Sequence, residues 1–145
     1  MKNIGILETA KLDRAQRACT TFLFIEKMLV EKEFDWLKCY VEDKTLYAQG
    51  YLTPNGCTRR YKVQLAYSYF FPVRFDKIWV VEPDIPYHKD IHMYVNRCLC
   101  LYYPNDLPCN RLTPLATMIP WISEWLIKYE LWQRYNVWIG EAVKH

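Results

Sequence analysis

Residues 37–67 read LKCYVEDKTLYAQGYLTPNGCTRRYKVQLAY, and their apolar period is two. Leu37, Cys39 and Val41 alternate with Trp36, Lys38, Tyr40 and Glu42. Leu46, Ala48, Gly50 and Leu52 alternate with Tyr47, Gln49 and Tyr51. Tyr61, Val63, Leu65 and Tyr67 alternate with Arg60, Lys62, Gln64 and Ala66. Strict alternation puts one set of side chains on each face of a strand. Asp43-Lys44 and Pro54-Asn55-Gly56 punctuate the pattern as turns. Three strands of an antiparallel meander follow, with one face toward a core. A fourth is expected at Lys77–Glu82, where Ile78-Trp79-Val80-Val81 is apolar on both faces.

Outside the meander the period changes. Leu12, Ala15, Cys19, Phe22, Ile25 and Leu29 recur every three or four residues, which predicts a helix over 11–34 with those residues on its core stripe. Leu115, Met118, Ile119, Ile122, Trp125, Leu126 and Tyr129 do the same, with Trp132 extending the series. Pro114 or Pro120 suits the first turn of that second helix, with Thr113 as its cap. Trp121, Trp125 and Trp132 are expected in the core. Between sheet and second helix, residues 83–114 lose periodicity and carry five prolines: Pro83, Pro86, Pro104, Pro108 and Pro114. The order of parts predicts one α+β domain over residues 1–145, helices on one face of an antiparallel sheet.

Composition narrows function. The chain has 145 residues, enough for one domain and a sizeable core. Aromatics at 17% exclude whole-chain disorder. A net charge of +3 is too weak for a nucleic-acid footprint, so no nucleic-acid partner is expected. No apolar run reaches the roughly 18 residues of a membrane span. The N-terminus lacks the apolar stretch and cleavage site of a secretory signal, so a cytoplasmic location and reduced cysteines are expected. Gly5, Gly50, Gly56 and Gly140 are the only glycines and form no phosphate-binding loop. No cofactor is expected. The oligomeric state is left open.

The irregular segment gathers His88, His92, Cys98, Cys100 and Cys109. Two chemistries compete for them. A thiolate attacks carbonyl carbon and leaves readily, which suits thioester exchange, given groups that stabilise the oxyanion. Zinc also takes Cys and His, but Cys98-x-Cys100 is one residue short of the usual knuckle and no second pair follows. A cysteine between leucines is also simply a good packing residue. If Leu99 and Leu101 point inward, alternation turns Cys98 and Cys100 outward. Cys19 and Cys39 fall on apolar faces and read as core; Cys57 lies beside a turn.

The order of parts resembles the ubiquitin-conjugating enzyme fold. The matching residues are Tyr67-Ser68-Tyr69-Phe70-Phe71-Pro72, then His92-Met93-Tyr94, then Leu99-Cys100-Leu101-Tyr102-Tyr103-Pro104. Trp121-Ile122-Ser123-Glu124-Trp125-Leu126, Tyr129-Glu130-Leu131-Trp132 and Trp138-Ile139-Gly140-Glu141 resemble more narrowly the bacterial ubiquitin-conjugating-like proteins of antiphage CBASS operons. These accompany a cGAS-like cyclic-oligonucleotide synthase. The resemblance implies that Cys100 is the thioester-forming cysteine and that His92 occupies the His position of the eukaryotic His-Pro-Asn motif. Met93 and Tyr94 replace its Pro and Asn, so the usual oxyanion amide is missing. Asn96, Tyr94 or a backbone N–H are the candidates to replace it. Cys98, Tyr102 and His145 complete the supporting set; Tyr102 and Tyr103 are candidates to line a channel for an extended tail. Longer relatives fuse this domain to an adenylating domain, so the chain resembles the short, stand-alone type. The implied partner is the cGAS-like nucleotidyltransferase, engaged through its C-terminal tail. The same resemblance also admits a binding module without catalysis.

Overall fold

The computed structural model describes residues 6–70, 73–102 and 114–140. The elements run α1 (Ile6–Glu33), β1 (Lys38–Glu42), β2 (Thr45–Leu52), β3 (Tyr61–Phe70), β4 (Val73–Glu82) and α2 (Leu115–Tyr135). The strands form one antiparallel sheet in sequence order, β1-β2-β3-β4. This is the expected α+β arrangement. Both expected turns are present. Asp43 and Lys44 take positive φ (48° and 61°), and the strands close at Glu42 opposite Thr45. Two left-handed residues match the twist of a tight hairpin. Gly56 has φ 97°, and the Cys57 N–H donates to the Pro54 carbonyl at 3.0 Å.

The alternation sets the buried face. Leu46, Ala48, Tyr61, Val63, Leu65, Tyr67 and Ile78 are buried, and α1 and α2 supply Leu23, Val30, Leu115, Ile119, Ile122 and Leu126 opposite them. Gly50 marks a close approach: a Cβ there would lie 1.8 Å from the Trp36 carbonyl oxygen. Strand β4 is longer than expected, because its pairing continues through Phe75 opposite Ser68 to Val73 opposite Phe70.

The described face of α1 differs in part from the expected stripe: Phe22 packs half-buried against the core, and the side chains of Leu12 and Ala15 are not described. Leu23, Glu26 and Val30 are buried, whereas Ile25 and Leu29 are 50% and 41% exposed. A charged residue in the stripe hides it from a hydrophobicity pattern. Glu26 is buried because it has a specific partner: its Oε2 accepts the Leu115 backbone N–H at 2.7 Å. Leu115 opens α2, whose N-cap is Pro114 with no side-chain cap. The carboxylate from α1 thus satisfies an orphan N–H and meets the positive end of the α2 dipole. Pro114 precedes the helix rather than sitting in its first turn, and Pro120 lies inside it on the exposed side, where its ring removes the bond to the Ala116 carbonyl. Thr113, Cys109, Tyr103 and His145 lie outside the described residues, and the side chain of Cys19 is likewise not described.

Glu26→Ala should lower the unfolding free energy by about 1–3 kcal/mol, since it strands a buried N–H. Glu26→Gln, which keeps an acceptor but loses the charge, should cost less. Urea midpoints at constant slope check both.

Candidate functional site

Residues 92–100 fold back on themselves as a short hairpin. The Cys100 N–H donates to the His92 carbonyl at 3.0 Å, and the Tyr94 N–H donates to the Cys98 carbonyl at 2.9 Å. Met93 bridges Leu99 in antiparallel fashion. The tip closes with the Arg97 N–H on the Tyr94 carbonyl at 2.8 Å, and Arg97 is left-handed (φ 70°). A turn followed by a left-handed residue is a common way to close a three-residue loop. Two further bonds hold the hairpin on the body. The Leu99 N–H donates to the Ile78 carbonyl of β4 at 2.9 Å, and Arg97 pairs with Asp84 at 2.6 Å.

This geometry overturns the expected alternation. Cys98, Leu99 and Cys100 are all buried, at 5%, 5% and 6% exposure. The segment makes a single bridge rather than a regular strand, and it is left-handed at His92 (φ 51°) as well as Arg97. A regular inward–outward alternation therefore does not apply. The two cysteines are nonetheless distinct. Cys100 lines a cleft of about 60 Å³, together with His92 and Leu101 from its own segment. Cys98 is not among the lining residues; its N–H is held by Asn96 Oδ1 at 3.1 Å. That bond occupies the Asn96 carbonyl oxygen in a local turn. Tyr94 takes a different part: its hydroxyl hydrogen-bonds the Cys100 sulfur.

The opposite wall comes from α2 and the segment after it. Trp121, Glu124, Trp125 and Lys128 recur at i, i+3, i+4 and i+7, which places them on one helix face. The left-handed cap Asn136 (φ 58°), whose N–H donates to the Trp132 carbonyl at 2.7 Å, ends α2. The chain then turns so that Trp138 closes the cleft. Its ring stacks on His92 (centroids 5.1 Å apart, planes 22°) and tilts against Trp125 (5.6 Å, 56°). Trp125 is 3% exposed, stacks on Tyr129, and donates its indole N–H to the His92 carbonyl at 3.0 Å. The His92 carbonyl therefore accepts from both Cys100 and Trp125 and ties the cysteine to α2.

Other sequence candidates fall outside the cleft lining or at its edge. Tyr102 is half-buried and tilts against Trp121 at 6.0 Å. His88 packs on Trp132 at 4.8 Å and accepts the Asp90 N–H at 3.1 Å. Trp121, expected in the core, is half-buried and faces the cleft, and Trp132 is half-buried at the edge of the core. The residues missed from sequence are Trp138, Glu124 and Lys128. The spacing of Glu124 and Lys128 with Trp121 and Trp125 on one helix face is the signal that finds them. Among the described residues, no three His, Cys, Asp or Glu groups converge in a way that could hold a metal ion.

Burial pushes the Cys100 thiol up to about 11; the Tyr94 hydroxyl pulls it down and the neighbouring Cys98 adds to the rise. Burial likewise raises Cys98, and takes Cys39 to about 11. Cys57 is raised to about 12 by burial and by its hydrogen bond to Glu130. Cys100 thus rests as a thiol at neutral pH, and a thiol attacks carbonyl carbon only after losing its proton.

Glu130 secures the β2–β3 loop to α2. It accepts the Thr58 N–H (2.9 Å), the Thr58 hydroxyl (3.0 Å) and the Tyr61 hydroxyl (2.8 Å). Burial works to raise its pKa, but these donors and Cys57 together hold the carboxyl below its ordinary value of 4.5. A depressed carboxyl stabilises the fold above the unfolded pKa and loses that contribution as pH falls through the folded one. Glu130→Gln should therefore cost about 1 kcal/mol at pH 7, a value kept small by solvent screening. The gap from the parent should close below about pH 4.5. Urea unfolding at both pH values checks this.

An N-terminal helix, a four-stranded meander, an extended cysteine-bearing segment and a following helix define a ubiquitin-conjugating-enzyme-like fold. The family model described as Type II CBASS E2 protein matches residues 26–145, and the chain belongs to that family. It is thus a ubiquitin-conjugating-like protein of CBASS antiviral defence. No curated protein matches it. Among the described residues, no helix is long and apolar enough to cross a membrane.

Proposed function

We propose that the protein is a cysteine-dependent acyl carrier of the ubiquitin-conjugating type, with Cys100 as its nucleophile. The observation that carries this is the cleft: Cys100 lines it and Cys98 does not. The acyl group would be the C-terminal carboxylate of a partner cGAS-like nucleotidyltransferase, consistent with membership of a CBASS family. A separate enzyme delivers it already activated. The Cys100 sulfur attacks the activated carbonyl carbon, its proton leaves, and the activating group departs to give a thioester. Tyr94 supports the sulfur through its hydroxyl. The His92 carbonyl, tied to Trp125, fixes the backbone of the nucleophile.

The test is an adduct assay with the partner synthase and its activating enzyme. The adduct should disappear with thiol reductant and in Cys100→Ala, and persist in Cys98→Ala. An adduct that survives Cys100→Ala but is lost in Cys98→Ala moves the nucleophile. One observation favours a second reading, a non-catalytic binding module: Cys100 is 6% exposed and protonated at neutral pH. On that reading Cys100→Ala leaves antiphage defence by the operon intact.

A further inference from the structure

The cleft holds an amine beside the thiol. Lys128 lines it together with Cys100, and among the described residues that line it Lys128 supplies the only primary amine. Its Nζ sits 3.0 Å from Glu124 Oε1, one helical turn earlier on α2. The same head group lies close to Gly140. Gly140 has φ 122°, and a Cβ there would lie 2.9 Å from Lys128 Nζ and 3.3 Å from its Cε. The positive φ accounts for glycine at 140, and the lysine head lies beside it. An ion pair of this kind, with side chains 28% and 61% exposed, stabilises a helix by only about 0.3–0.5 kcal/mol. Stability alone is a weak reason to hold an amine here.

We propose that Lys128 is an acceptor amine for the acyl group carried on Cys100, with Glu124 positioned to receive its proton. This rests on the thioester reading above. The cleft is half open to solvent, and an acyl carbonyl on the Cys100 sulfur would share it with Lys128. The Lys128 ammonium passes one proton to Glu124. The free amine attacks the thioester carbon, the C–S bond breaks, and an amide forms on Nζ. The second amine proton is released and the thiolate of Cys100 is reprotonated, so charge and atoms balance. The product is a reductant-resistant self-conjugate. Acylation removes the lysine charge and with it the pair to Glu124.

The experiment uses the full chain and a short peptide bearing a C-terminal glycine thioester as the probe. That probe exchanges directly onto a thiol and needs no activating enzyme. Time points are quenched, digested and mapped by mass spectrometry with and without reductant. Expected is a reductant-sensitive acyl group on Cys100 that precedes a resistant one on Lys128, with the Lys128 product absent in Cys100→Ala. Lys128→Arg, which keeps the cation, should lower the ratio of resistant to sensitive product by about tenfold or more. Acylated Cys100 with unmodified Lys128 overturns this proposal and leaves the thioester reading standing. Equal Lys128 acylation in Cys100→Ala shows direct reaction with the probe and also overturns it. A chain that takes up no acyl group at Cys100 removes both.

Discussion

Trp125→Ala is expected to lower the unfolding free energy by about 3–5 kcal/mol, the range for emptying a buried tryptophan site. The indole is 3% exposed and lies between the Tyr129 ring at 5.4 Å and the Trp138 ring at 5.6 Å. Its removal leaves a cavity and takes away both aromatic contacts. It also removes one of the two donors to the His92 carbonyl. Trp125→Phe separates these contributions. It keeps most of the apolar volume and should cost about 1 kcal/mol for the hydrogen bond alone. Denaturant midpoints at constant slope give both numbers. Amide exchange at Cys100 gives the local consequence: its N–H shares the His92 carbonyl with Trp125, so protection there should fall in Trp125→Ala beyond the global loss. Unchanged protection would mean that the hairpin over residues 92–100 holds Cys100 without α2.

The sheet was legible because its signal is binary. In Tyr61, Val63, Leu65 and Tyr67 every second residue is apolar, all four are buried, and the intervening residues are half-buried. The second helix was legible for the same reason, since Leu115 to Tyr129 keep the helical period without a charge on the buried face. The first helix shows where that logic ends. Its buried stripe contains Glu26, and only the distant Leu115 N–H explains why a carboxylate belongs there. Single-sequence periodicity cannot see a partner at the other end of the chain. The candidate site divides along the same line. The resemblance pointed to Cys100 and His92, and the structure brings both to one cleft. Trp138 escaped because its place depends on a left-handed residue at Asn136, which redirects the chain after α2. The direction of Cys98 and Cys100 escaped because the segment is held by left-handed residues and one bridge, where alternation has no force.

Cys100 is expected to alkylate slowly until the pH is well above neutral. Iodoacetamide reacts with thiolate, so the rate follows the ionised fraction. Moving a thiol from its ordinary 9.0 to about 11 lowers that fraction at pH 8 roughly 100-fold. The folded protein should therefore react at Cys100 about 100-fold more slowly than the same residue in the unfolded chain. The rate should climb about tenfold per pH unit until the thiol ionises. Site-resolved mass spectrometry is required, because Cys39, Cys57 and Cys98 are raised as well. Tyr94→Phe identifies the opposing contribution: without the hydroxyl, burial acts unopposed and Cys100 should react more slowly still, at every pH below its pKa. Faster reaction in Tyr94→Phe would mean that the ring shields the sulfur more than the hydroxyl assists it. The same shift has a stability consequence with a definite sign. The folded chain keeps the Cys100 proton while the unfolded chain loses it, so stability present below pH 9 declines as the pH rises toward 11. On the proposed acyl-carrier reading, loading accelerates with pH over the same range, since the thiol must first lose its proton.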